Sequence, residues 1–118
     1  MYSNQLTIIG FTGQDADLHF TSNGTSVTTL SVATKESWKD AAGDWQSHTE
    51  WHRIVAFGKL AEYAKTLTKG THVMVQGSLR SREYEKDGVS RRVSEVRAET
   101  IAKRDRVQRR EAQESAES

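Results

Sequence analysis

Apolar residues recur at every second position through most of residues 5–101, and this period changes only once. Alternation of that kind builds half-buried strands, whereas a period near 3.6 builds a helix. Strands are expected at Gln5–Phe11, Asp17–Thr21, Ser26–Thr34, His48–Phe57, Thr71–Leu79 and Arg92–Ile101. The first two can be halves of one bent strand. Asn23-Gly24 falls between the second and third, and Asn-Gly between strands is a strong hairpin signal. Lys86-Asp87-Gly88 turns the last pair. Residues 35–46 are polar, include Gly43, and read as a loop. The exception to the alternation is Lys59–Lys69, where Leu60, Ala64 and Leu67 stand at i, i+4 and i+7 on one face of a short helix. Gly70 follows as a C′ glycine should, with Lys65 and Lys69 near the negative end of the helix dipole.

This order of elements describes a mainly β protein. It is a five-stranded Greek-key barrel of the OB-fold type, with one short α-helix between the third and fourth long strands. Such barrels bind oligonucleotides or oligosaccharides on a sheet face and its loops, and the architecture alone does not choose between them. The 118 residues suffice for one domain, expected over 1–102. After Ile101 the only large aliphatic residue is Val107. Residues 103–118 cannot bury enough apolar surface to offset their ordering entropy, and are expected to form a charged tail, disordered or frayed-helical.

With no cysteine the chain has no disulfide framework, thiolate metal site or cysteine nucleophile. No apolar run approaches the roughly 20 residues that span a bilayer, and the first residues lack the pattern of a signal peptide. A cytoplasmic protein is expected.

The three tryptophans carry the functional signal. Tryptophan usually belongs to a core, but Trp38, Trp45 and Trp51 each stand among polar neighbours, the first two in or beside the expected loop. Large aromatics in such settings mark a contact surface. Alternation along 48–57 puts Thr49, Trp51, Arg53, Val55 and Phe57 on one face and His48, Glu50, His52, Ile54 and Ala56 on the other. The first face interleaves aromatics with a cation, as single-stranded nucleic acid requires. Unpaired bases stack on aromatic rings while cations meet phosphates. Arg80, Arg82, Tyr84, Lys86, Arg91, Arg92 and Arg97 give the last hairpin the same character.

At these positions the sequence resembles the bacterial-type single-stranded DNA-binding protein (SSB) family. The matching runs are Glu36-Ser-Trp-Lys-Asp40, Thr49-Glu-Trp-His-Arg53, Phe57-Gly-Lys-Leu-Ala-Glu62, Lys69-Gly70 and Leu79-Arg-Ser-Arg82. The resemblance spans about residues 3–102. It implies a homotetramer that binds single-stranded DNA without sequence preference in replication, recombination or repair, as a nucleoid-associated protein. The matched stacking positions are Trp38, Trp51, Phe57 and Tyr84, with Trp45 in a variable loop as an extra candidate. Phosphate contacts are expected from Arg53, Lys59, Arg80, Arg82, Arg91 and Arg92, and His52 is assigned to a subunit contact. The family's usual Gly/Pro/Gln-rich linker and acidic Pro-Phe tip, which dock partners, have no counterpart before Glu117-Ser118. Partner recruitment by that route is therefore not carried over, and for a chain that ends at Ser118 a mobile-element or phage origin, or a specialised paralogue, is the expectation.

Other chemistries have weaker support. His48, Glu50 and His52 share one strand face at a spacing that could hold a metal, yet a polar interface explains the same residues, so no metal is assigned. Asp15 and Asp17 are expected to cap a turn after Gly13. No Walker loop, GxSxG or HExxH occurs, so neither cofactor nor catalysis is expected. The net charge of +1 is low for a nucleic-acid binder. Part of the explanation is that acidic residues, among them Asp15, Asp17, Glu62, Glu95 and Glu99, are expected off the stacking face.

Overall fold

Each alternating segment forms a strand in the computed structural model, which describes residues 1–104. The order is β1 (Leu6–Thr12), β2 (Asp17–Phe20), β3 (Ser26–Lys39), β4 (Trp45–Phe57), α1 (Lys59–Ala64), β5 (His72–Lys86) and β6 (Val89–Lys103). Lys103 and Arg104, expected to begin the tail, belong to the body: β6 runs through Lys103, and the Arg104 N–H donates to the His72 carbonyl at 2.8 Å. The rest of the expected tail lies outside the described residues.

The strands run β1-β5-β6-β4-β3-β2 in one sheet, and β1 also pairs with β3. That pairing, Phe11↔Ala33 and Thr12↔Val32, closes five strands into a barrel and leaves β2 on the edge of β3. The seam requires glycine at position 10, because a Cβ there would lie 2.0 Å from the Ala33 carbonyl oxygen. On the other side, β4 meets β6 in a short parallel contact, Ile54↔Val96 and Val55↔Arg97.

The barrel is filled by aliphatic residues: Ile8, Leu30, Val32, Ile54, Val73, Val75, Val96 and Ile101. Helix α1 and the turn after it cover the core with Ala61, Ala64 and Leu67. The buried Thr28 hydroxyl donates to the Ala61 carbonyl at 2.7 Å and ties the helix to β3. The helix is shorter than the period-3.6 segment. After Ala64 the chain tightens into i→i+3 bonds, with the Thr66 N–H on the Tyr63 carbonyl and the Leu67 N–H on the Ala64 carbonyl. The apolar face is kept and Lys65, now the C-cap, pairs with Glu62 at 2.6 Å, whereas Gly70 stands beyond the helix end and is not its C′ residue; its N–H donates to the Thr12 carbonyl at 2.9 Å.

The larger departure concerns residues 35–46. Most of them are strand: residues 35–39 belong to β3, and Trp45 and Gln46 to β4. β3 and β4 stay paired without a break from Val27↔Phe57 to Lys39↔Trp45, so a two-stranded arm projects beyond the barrel and turns at 40–44. β5 and β6 form a second arm, paired as far as Lys86↔Val89 around the expected Asp87-Gly88 turn.

Candidate nucleic-acid interface

All nine aromatic residues are more than one-third exposed, and none enters the core. Burying such rings would contribute strongly to stability; this chain keeps them on its surface instead.

An open groove lies on the outer face of the barrel where the two arms begin. β4 supplies Arg53, Val55 and Phe57 to it, as the alternation predicts. β3 adds Val27 and Thr29, β2 and its following turn add His19 and Thr21, and Arg82 and Glu95 close it from β5 and β6. The Arg97 guanidinium lies 4.5 Å from the centre of the Phe57 ring, a cation–π contact at the edge of the same face. His19 was not among the expected site residues, and Arg97 was counted in the basic last hairpin but not among the expected phosphate contacts. The alternation of Asp17-Leu-His-Phe20 offered a signal for His19. Arg97 reaches Phe57 through the parallel β4–β6 pairing, which no local pattern announces.

Glu95 is not off this face. It sits between two of the expected phosphate-binding arginines. One carboxylate oxygen accepts from Arg53 Nε at 3.1 Å, and the other from Arg82 Nε at 3.2 Å. The expectation failed because it placed Glu95 by sequence, whereas the register Arg80↔Glu95 turns it to the face that carries Arg82.

Along the first arm, Trp51, Ser47 and Trp45 share the face of Arg53. Trp51 lies over Gly13, at which a Cβ would approach the indole Cζ3 to 2.2 Å. Trp45, 71% exposed, opens β4 and has Lys39 Nζ 5.9 Å from its ring. Trp38 is also exposed, but it pairs with Gln46 and so falls on the opposite face, with Glu36, His48 and Glu50. The arm therefore presents tryptophan on both faces.

Along the second arm, Arg80, Arg82, Tyr84 and Arg91 share one face with Glu95. Arg92 does not. It pairs with Glu83 across the arm's other face, with 3.6 Å between the charged groups. Lys59 is exposed as the first residue of α1 and is not among the residues lining the groove. His52 is half-buried, with Nε2 2.8 Å from the Thr34 hydroxyl, while His48 pairs with Glu50 at 2.9 Å. Asp15 accepts from the Lys69 N–H at 2.8 Å, fastening the segment after α1 and not a turn of its own.

The chain matches the single-strand binding protein family over residues 3–104. Among solved structures it is similar to a Plasmodium falciparum SSB in complex with single-stranded DNA. The TM-score is 0.82 and the identity 31%, over 89% of this chain and 97% of that one. It is also similar to a deletion mutant of the single-stranded DNA binding protein from Thermus aquaticus, with a TM-score of 0.78 and 30% identity. That match covers 88% of this chain and 51% of the other, so the chain spans about half the length of the Thermus protein.

Proposed function

The chain belongs to the single-strand binding protein family, and on that premise we propose how it holds its ligand: bases of single-stranded DNA stack on surface aromatics while arginines meet the phosphates, with no catalytic step. The observation that carries this reading is the division of labour between core and surface. The barrel is filled by aliphatic residues and every aromatic is left outside. Phe57 sits in the groove, Trp51 and Trp45 continue its face along one arm, and Tyr84 continues it along the other. Every base offers a π-face, so stacking tolerates any sequence. Arg53, Arg80, Arg82 and Arg91 share these faces and are the phosphate contacts of this reading, with Arg97 added. Trp38 serves a strand that passes to the arm's other face. Arg92 and Lys59 stand apart and have lesser parts in it.

Such binding protects exposed strands during replication, recombination or repair, and places the protein with the DNA of the cytoplasm. A homotetramer with His52 near a subunit contact belongs to the same reading. The apolar outer face of β1, with Ile9 and Phe11 each more than 40% exposed, supports association.

The test is Trp51→Ala. Its affinity for oligo-dT should fall by about 1–3 kcal/mol, the range known for stacked bases in single-strand binders as a class. An unchanged affinity would remove Trp51 from the stacking surface.

A further inference from the structure

We propose that Glu95 is the positioning residue of the Arg53–Arg82 pair, fixing both guanidinium groups at one groove with their outer edges turned to the DNA. The inference rests on the reading above, in which these arginines meet phosphates. Its basis is geometric. The three residues come from three neighbouring strands, β4, β5 and β6, and meet because β6 lies between the other two. Each arginine gives Glu95 its Nε–H, at 3.1 and 3.2 Å. A guanidinium carries five N–H groups, so using Nε inward leaves the Nη groups for a phosphate, which they suit in bidentate fashion. The Glu95 side chain is only 15% exposed, whereas those of Arg53 and Arg82 are 45% and 52% exposed. The carboxylate forms the floor and the cations form the rim.

Without Glu95, two like charges facing each other across β6 would repel and their long side chains would sample many rotamers. With it, the pair is ordered before the ligand arrives, and preorganisation of this kind raises affinity. A carboxylate beside DNA has an opposing effect, because it repels phosphate. The two effects give variants of opposite sign, so the proposal is decided by a direction.

The experiment titrates the full chain and its E95A, E95Q, R53A and R82A variants with oligo-dT at several salt concentrations, alongside thermal melts. R53A and R82A should each weaken binding and flatten the salt dependence, by about 0.7 in log–log slope for each phosphate that is no longer neutralised. E95A should also bind roughly fivefold or more weakly, with a flatter slope, although it gains a net positive charge. E95Q should fall between, since its one amide oxygen can accept from only one arginine well. Should E95A fail to fold, E95Q decides by the same criteria. If the Glu95 variants bind as tightly as the parent or tighter, or with a steeper slope, the positioning role is overturned while the arginine contacts stand. A lowered melting temperature with unchanged binding overturns it equally. If R53A and R82A bind like the parent, the phosphate reading falls and the proposal with it.

Discussion

Trp51 owes its place to a residue without a side chain. Its indole lies over Gly13, and a Cβ at that position would come within 2.7 Å of Cη2 and closer still to Cζ3. The ring is exposed and can turn about its own side-chain bonds, whereas the backbone beneath is held by the Gly13 N–H, which donates to the Ser31 carbonyl at 3.0 Å, so Gly13→Ala should displace the indole and not the backbone. Oligo-dT affinity should then fall toward that of Trp51→Ala, while the melting temperature changes little. An unaltered affinity would show that the ring's seat is not needed for stacking. The sequence indicates that Gly13 breaks a strand, but not that it lies beneath a tryptophan, because the contact joins residues far apart in the chain. The orientation of Trp51, Arg53 and Phe57 was legible from alternation alone. Glu95 was not, because its contact with Arg82 depends on the register of the last hairpin and its contact with Arg53 on the parallel β4–β6 pairing between segments distant in sequence.

The elements show where local pattern stops being informative. Residues 35–46 look like a loop because both faces of the arm meet solvent, so nothing forces apolar and polar residues to alternate. Pairing between residues 35–39 and β4 makes all but the turn at 40–44 strand all the same. Its tip is held by Asp40, which accepts from the Asp44 N–H at 2.9 Å, the Ala42 N–H at 3.0 Å and the Gln46 side-chain amide at 3.1 Å. Chiefly the bond from Asp44 holds the Asp40 carboxyl below its ordinary value of 3.8. A depressed value means that the carboxylate stabilises the turn fully above the ordinary value and loses that effect as pH falls through the depressed one. Amide protection at Ala42 and Asp44 should therefore hold from neutral pH down to the ordinary carboxylate range and collapse only below it. Asp40→Ala should show the collapsed pattern at neutral pH. Hydrogen exchange followed by NMR checks both, and equal protection in the variant would contradict the capping role. For α1, the period identified the buried face correctly but not its end. The i→i+3 bonds at Thr66 and Leu67 shorten the helix while keeping Leu67 in the core.

For the whole molecule, the order of elements pointed to the barrel, and the barrel explains why a net charge near zero suits a binder of DNA. On the proposed reading stacking carries much of the affinity, and charge matters by placement more than by sum. Even the acid at the centre of the groove is paired with two cations. What could not be read from the chain was closure, since β1–β3 and β4–β6 join segments that no local pattern connects. The central claim, that exposed aromatics and arginines together hold a single strand, is tested most directly by titrating the native protein with oligo-dT at increasing salt while following tryptophan fluorescence. The account predicts saturable quenching, because Trp51 and its neighbours stack on bases. It also predicts an affinity that falls linearly with salt on logarithmic axes, by about 0.7 for each phosphate engaged. Binding without quenching, or an affinity indifferent to salt, would contradict it.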